Sequence, residues 1–239
     1  MKKKWLLGMK TNDLSIQNMA HHLEKTTRKI NASIDFDVHW YRRVFHAFGA
    51  SVLVFYLLPD NLLFNAVKYS VLIGVLVFVS FFEYLRIKGA LRSRTFFGLR
   101  MYEQNRPGSY LYFGVAVLLL LFFFPQQIAI PCILCGSLGD PILGELRYRF
   151  GKFKAACLGF FFCMLFFSVS WYTADTFIMI SVAILGAFCA VVAEAKKFLL
   201  LDDDFMIQMV PAVIILVLWL GIKTMGFDIL PSVILHPLM

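Results

Sequence analysis

Apolar residues fall in blocks along this chain, at 44–58, 66–85, 110–125, 128–143, 155–172, 177–193 and 205–222, parted by short charged or turn-forming stretches. A helix needs about 20 apolar residues to cross a hydrocarbon core, and most of these blocks approach that length. The pattern predicts an all-α, polytopic membrane protein of about seven transmembrane helices. The fourth block is broken: Pro131 falls inside it, and Gly136, Gly139, Pro141 and Gly144 crowd around Asp140. An interrupted helix at membrane depth needs protein, water or ligand to satisfy its backbone, so this region is a first place to look for a site.

Outside the blocks, Ile16, Met19, Leu23 and Ile30 recur at helical spacing among Lys25, Arg28 and Lys29. This suits an amphipathic helix on the membrane surface, or equally one packed on the loops. The chain thus divides into a basic N-terminal segment (1–40), a transmembrane domain that would hold any catalytic site (41–223), and an apolar tail (224–239). Pro231 and Pro237 place that tail at the interface rather than in a further span. The opening MKKKWLLGMK has too few apolar residues for a signal peptide and is expected to stay on.

Charge orients the helices. Of the 23 Lys and Arg, 21 lie before Val44, between Glu83 and Tyr110, between Asp140 and Ala155, or between Glu194 and Phe205. The alternate loops, 59–65, 126–127 and 173–176, hold none. Basic loops stay in the cytoplasm, so the N-terminus and the loops of interest are expected there. Composition agrees with lipid: 60% of residues are hydrophobic, 16% are charged and mean hydropathy is +0.74. The formal charge of +8 follows from orientation and anionic lipid, so nucleic acid is not expected as a partner. The five cysteines all sit in apolar stretches and read as packing, Cys132 and Cys135 included, since no second ligand pair accompanies their CxxC spacing.

Ionisable residues at or below the membrane edge are costly unless they face a cavity or a partner. Arg43 and His46 share a face at the start of the first helix. Interfacial anchoring explains Trp40 and Arg42 better than it explains His46, one turn deeper. Glu83 and Arg86 form a second pair at the end of the second helix, either a plain salt bridge or part of one pocket with His46. The stretch from Gly139 to Lys152 combines Asp140 with Gly144, Gly151, Arg147, Arg149 and Lys152. Read as a loop, it suits an anion with a metal, or is simply a basic cytoplasmic loop that contains glycine. It is no Walker A motif, because Phe153 stands where Ser or Thr should follow Gly-Lys. Glu194 and the run Asp202-Asp203-Asp204 precede the last helix; helix capping accounts for one or two of these acids, and a divalent cation for the cluster.

The order Arg43-x-x-His46-x-x-Gly49, Glu83-x-x-Arg86, Gly108 through Phe113, Gly139-Asp140 with Gly151-Lys152, then Glu194 and Asp203-Asp204 resembles the CTP-dependent polyprenol kinase group. That group includes dolichol kinase, phytol kinase and the CTP-dependent diacylglycerol kinase, and it is related to phosphatidate cytidylyltransferase. The resemblance covers roughly residues 40–219. It implies γ-phosphoryl transfer from CTP to a membrane lipid alcohol, with Mg²⁺ held by Asp140, Asp203 and Asp204. Gly139, Gly144, Arg147, Gly151 and Lys152 would bind nucleotide, Arg43 and Arg86 would bind substrate, and His46, Glu83 and Asp140 would be catalytic. The site would face the cytoplasm from the cell membrane of a prokaryote or the endoplasmic reticulum of a eukaryote. Two departures stand out: residues 153–159 lack the hydroxyl and acid that follow Gly-Lys in the family, and Asp204 replaces an Asn. The cytidylyltransferase signature rich in Gly-His-Gly-Gly is absent, which leaves a CDP-lipid synthase as the second reading. A transporter or non-catalytic membrane protein is the third, although the sequence has no obvious inverted repeat and its polar residues cluster toward one leaflet.

Overall fold

The computed structural model describes residues 43–89, 106–195 and 202–238; the amphipathic pattern between Asn12 and Ile30 lies outside them. The described residues form helices and no strands. Helix α1 (Arg43–Tyr56) tightens to a 3₁₀ helix from Ala50. It is followed by α2 (Leu62–Ile87), α3 (Ser109–Phe123), α4 (Gln126–Leu134), α5 (Asp140–Phe150), α6 (Lys152–Ser170), α7 (Thr176–Ala195) and α8 (Asp203–Thr224). Among the described residues, five rods are long and apolar enough to cross a membrane: α2, α4 with α5, α6, α7 and α8. The first and third expected spans, α1 and α3, are apolar but shorter. The chain therefore has the helices of a multi-pass membrane protein.

The broken fourth block is not a loop. Helices α4 and α5 join through a π turn, Cys135–Gly139, in which the Asp140 N–H donates to the Cys135 carbonyl. The stretch expected as a glycine-rich loop from Gly139 to Lys152 is thus mostly helix α5, with Pro141 in its first turn, where a proline is tolerated. Its leading amides are spent on the rod, so α5 offers no free N-terminus to an anion. Pro131, inside α4, has no N–H to give the Gln127 carbonyl four residues back. The buried Trp171 indole donates to that carbonyl instead, at 2.9 Å. Trp171→Phe should leave the carbonyl unsatisfied and cost about 1–3 kcal/mol, read as a lower melting temperature in detergent; an unchanged melting temperature would refute this account of Pro131.

Helices α6, α7 and α8 pack in sequence, and α4 and α3 close against α8. Leu120, Ile128, Ile133, Leu143, Phe167, Ile207 and Ile215 form the core with Trp171. The face of α7 turned to them is small, with Ala183, Gly186, Ala187, Ala190 and Ala193 buried, which lets helix backbones approach closely. Helix α2 leans mainly on α3 and exposes Leu63, Val67, Val71, Val75 and Phe78. So long an apolar face suits lipid and not water.

Contacts sort the helix termini into two ends. The starts of α1, α3, α6 and α8 lie with the ends of α2, α5 and α7. At the other end the tail after Gly226 forms no helix and crosses three links. The Gln127 side chain donates to the Pro231 carbonyl at 2.8 Å, the Ser232 hydroxyl to Thr173 at 3.1 Å, and the Leu238 amide to the Leu57 carbonyl at 2.8 Å. Among the described residues, the acids and bases singled out as site candidates gather at the first end.

Candidate functional site

His46 is carried on the first turns of α1, and Phe113 of α3 stands edge-on to its ring with centroids 5.5 Å apart. Gly49, one turn on, makes this approach possible, because a Cβ there would lie 2.6 Å from the Phe113 ring. The imidazole Nε2 is 3.5 Å from Asp204 Oδ2, and both side chains are buried. Asp204 sits in the first turn of α8, and the π turn sets Asp140 opposite it. His46, Asp140 and Asp204 offer ligand atoms that all lie within 4.8 Å of one another. A carboxylate at 0% exposure in a membrane helix needs a positive partner, which a protonated imidazole or a cation supplies. One imidazole and two carboxylates from three separate elements form a donor set that fits a divalent cation. Asp203, expected as a ligand beside Asp140, groups instead with Asp202 and Asp204 in a second set of the same reach.

One turn toward the membrane centre, α8 crosses the π turn at Gly136 and Gln208. A Cβ on Gly136 would fall 2.5 Å from Gln208 Cγ, so only glycine leaves the space that the glutamine occupies. The Gln208 Nε2 donates to the Asp204 carbonyl at 2.8 Å. Its Oε1 and the Ser137 hydroxyl are buried and find no hydrogen-bond partner among the described residues. In the sequence Gln208 shows only as a lone amide four residues after Asp204 in an apolar run, and Ser137 only as a small polar residue between Gly136 and Leu138.

The remaining candidates are held by each other. Both Glu83 oxygens are engaged: Arg86 donates to them twice at 2.7 Å, and the Gly108 amide and Tyr110 hydroxyl donate as well. Arg86 also donates to the Arg106 carbonyl at 2.6 Å, so this cluster fastens the end of α2 to the start of α3. Arg43 pairs with Glu145, which also takes Arg149, and Arg147 pairs with the buried Glu194. The three arginines expected to meet nucleotide or substrate therefore already answer carboxylates. Gly139 is buried near Cys163, while Gly144, Gly151 and Lys152 are exposed. Glu83 has hydrogen-bond partners on α2 and at the start of α3, and His46 has contacts on α3 and α8, so α3 touches both through Tyr110 and Phe113. Comparison with protein families, with curated proteins and with solved structures found no match.

Proposed function

We propose that this chain is a divalent-cation-dependent phosphotransferase that moves the γ-phosphoryl group of CTP to a membrane lipid alcohol. The observation that carries the reading is the convergence of His46, Asp140 and Asp204 at one end of the helices. Phosphoryl transfer asks for positioning and charge neutralisation more than for covalent chemistry, and such a cluster is suited to both. The choice of CTP and of a lipid alcohol rests on the resemblance to polyprenol kinases.

Mg²⁺ prefers oxygen, which assigns it to Asp140 and Asp204 and leaves His46 beside them for the proton. The cation, when bound, neutralises charge on the phosphates. The acceptor hydroxyl forms the new bond to the γ-phosphorus, the bridging bond to CDP breaks, and His46 takes the hydroxyl proton. Glu83, with both oxygens engaged, serves the fold in this scheme and does not serve as the base. Arg147 and Arg43, half-buried at the rim, turn to the nucleotide only if they leave Glu194 and Glu145.

The proposal includes seven crossings with the site at the cytoplasmic end. Helix α3 reaches about 22 Å, short of a core of about 30 Å. A bilayer thinned beside α3 would bring a lipid hydroxyl toward His46, which Phe113 of α3 touches.

The test is transfer by the purified full chain in vesicles, with Mg²⁺, a panel of lipid alcohols and phosphatidic acid, and CTP labelled at the γ- or the α-phosphate. Label reaching an alcohol from the γ position alone is the expected result. Label from the α position on phosphatidic acid indicates a CDP-lipid synthase, and label from neither removes both enzyme readings. Asp140→Asn should reduce transfer about a hundredfold while the protein stays inserted; full activity in that variant would remove Asp140 from the site.

A further inference from the structure

Gln208 and Ser137 are not explained by the cation cluster. Burying a hydrogen-bonding atom without a partner costs stability, and native proteins rarely do so without a ligand, an ordered water or a functional reason. Here two such atoms belong to elements that pack on each other, α8 and the π turn. The Gln208 side chain lies against Gly136, and Ser137 is the next residue of the same π turn. Both side chains are at 0% exposure.

The orientation of the amide is fixed. Its nitrogen donates to the Asp204 carbonyl, so its oxygen is the free end, an acceptor. A serine hydroxyl can donate or accept. An acceptor and a donor–acceptor on two elements that pack together suit an alcohol, which accepts from the Ser137 hydroxyl and rests its own proton on the amide oxygen until His46 takes it. The position agrees, because Gln208 follows Asp204 by one turn of α8 and Gly136 precedes Asp140 by one turn of the rod. That puts the pair on the membrane side of the proposed phosphoryl centre, where a lipid-borne hydroxyl must arrive. A π turn inserted in a helix is itself common at functional sites, and here it brings Gly136 under Gln208 and Asp140 toward Asp204.

We infer that Gln208 and Ser137 form the subsite that binds the hydroxyl of the membrane substrate, one helical turn below the His46, Asp140 and Asp204 cluster. The inference rests on the proposed lipid-alcohol reading. It assigns the two residues a positioning role: they orient the hydroxyl oxygen without taking its proton, and the acyl or prenyl chain stays in lipid. Gly136 is the specificity element, since any side chain there would displace the amide that reads the alcohol.

Two measurements on the reconstituted full chain test this. In the first, geranylgeraniol and dioleoylglycerol are the acceptors, and KM for lipid and for CTP are determined for wild type, Gln208→Leu and Ser137→Ala. Loss of one hydrogen bond should raise the lipid KM about tenfold in each variant and leave the CTP KM unchanged. A change in melting temperature alone, or an equal rise in both KM values, overturns the inference and marks the pair as structural or water-filled. Ser137→Ala alters one atom, so it keeps the test decisive if Gln208→Leu does not fold. The second measurement needs no turnover: a geranylgeraniol bearing a diazirine beside its hydroxyl is photolysed with the protein, and the labelled peptide is identified. Label on the π turn or the first turns of α8, lost in Ser137→Ala, supports the subsite even where no phosphoryl transfer is seen. Label elsewhere, or label that Ser137→Ala does not reduce, overturns it. Absence of transfer in wild type, by contrast, counts against the kinase reading itself.

Discussion

Asp204→Asn is expected to lower phosphoryl transfer at least a hundredfold and to weaken divalent-cation binding, with helix content and membrane insertion unchanged. The substitution keeps the shape of the side chain and removes its charge, so its effect reports electrostatics and not packing. Asp204 is the shared member of both candidate ligand sets, with His46 and Asp140 on one side and Asp202 and Asp203 on the other. It is also the most buried of the three adjacent aspartates. Binding of Mn²⁺, followed by its electron paramagnetic resonance signal in the purified protein, checks the claim without a substrate. Comparison with Asp203→Asn then separates the two sets. If the cation lies between the π turn and α8, held by Asp140 and Asp204, Asp203→Asn should change affinity far less than Asp140→Asn does. The reverse order would move the cation to the acidic run at the start of α8, and Mn²⁺ bound equally well by Asp204→Asn would remove it from both.

How much of this was legible beforehand differs by residue, for physical reasons. Helix positions follow from apolar blocks, because hydrophobicity along one chain is a local property. The blocks at 66–85, 155–172, 177–193 and 205–222 each fall within or close to a rod long enough to span. The block at 128–143 misled in one respect. Proline and glycine usually mark a break, yet Pro131 is absorbed by the Trp171 indole and Cys135–Gly139 by a π turn. Both compensations come from partners distant in sequence or from a rare helix geometry, neither of which a local pattern displays. The same holds at the site. His46, Asp140 and Asp204 were visible as polar residues out of place, but spacing along the chain said nothing of which would meet. Tertiary contacts set His46 beside Asp204 and gave Glu83 to Tyr110. Gln208 and Ser137 went unnoticed because a neutral polar residue in an apolar run raises little alarm until its burial and missing partners are known.

The second large effect is expected at Glu83, and it is one of stability rather than chemistry. The family resemblance puts Glu83 among the catalytic groups, whereas the structure gives it four donors: two from Arg86, one from the Gly108 amide and one from the Tyr110 hydroxyl. Replacing Glu83 by Gln would leave the Arg86 guanidinium buried with no counter-charge from this residue, and breaking a buried pair in this way costs about 3–5 kcal/mol. In a chain of this size that corresponds to a fall in melting temperature of about 10 °C. The double variant Glu83→Leu with Arg86→Met removes both charges together and should recover a large part of the loss, since what destabilises is the charge left behind and not the pair that is gone. Turnover distinguishes the roles. For a clasp between α2 and α3, activity per folded molecule, measured well below the new melting temperature, stays within a few fold of wild type in both variants. For a general base, it falls by about a hundredfold or more while stability is recovered in the double variant. The first outcome leaves His46 as the proton acceptor; the second returns Glu83 to the reaction and requires its hydrogen bonds to Arg86 and Tyr110 to open when substrate binds.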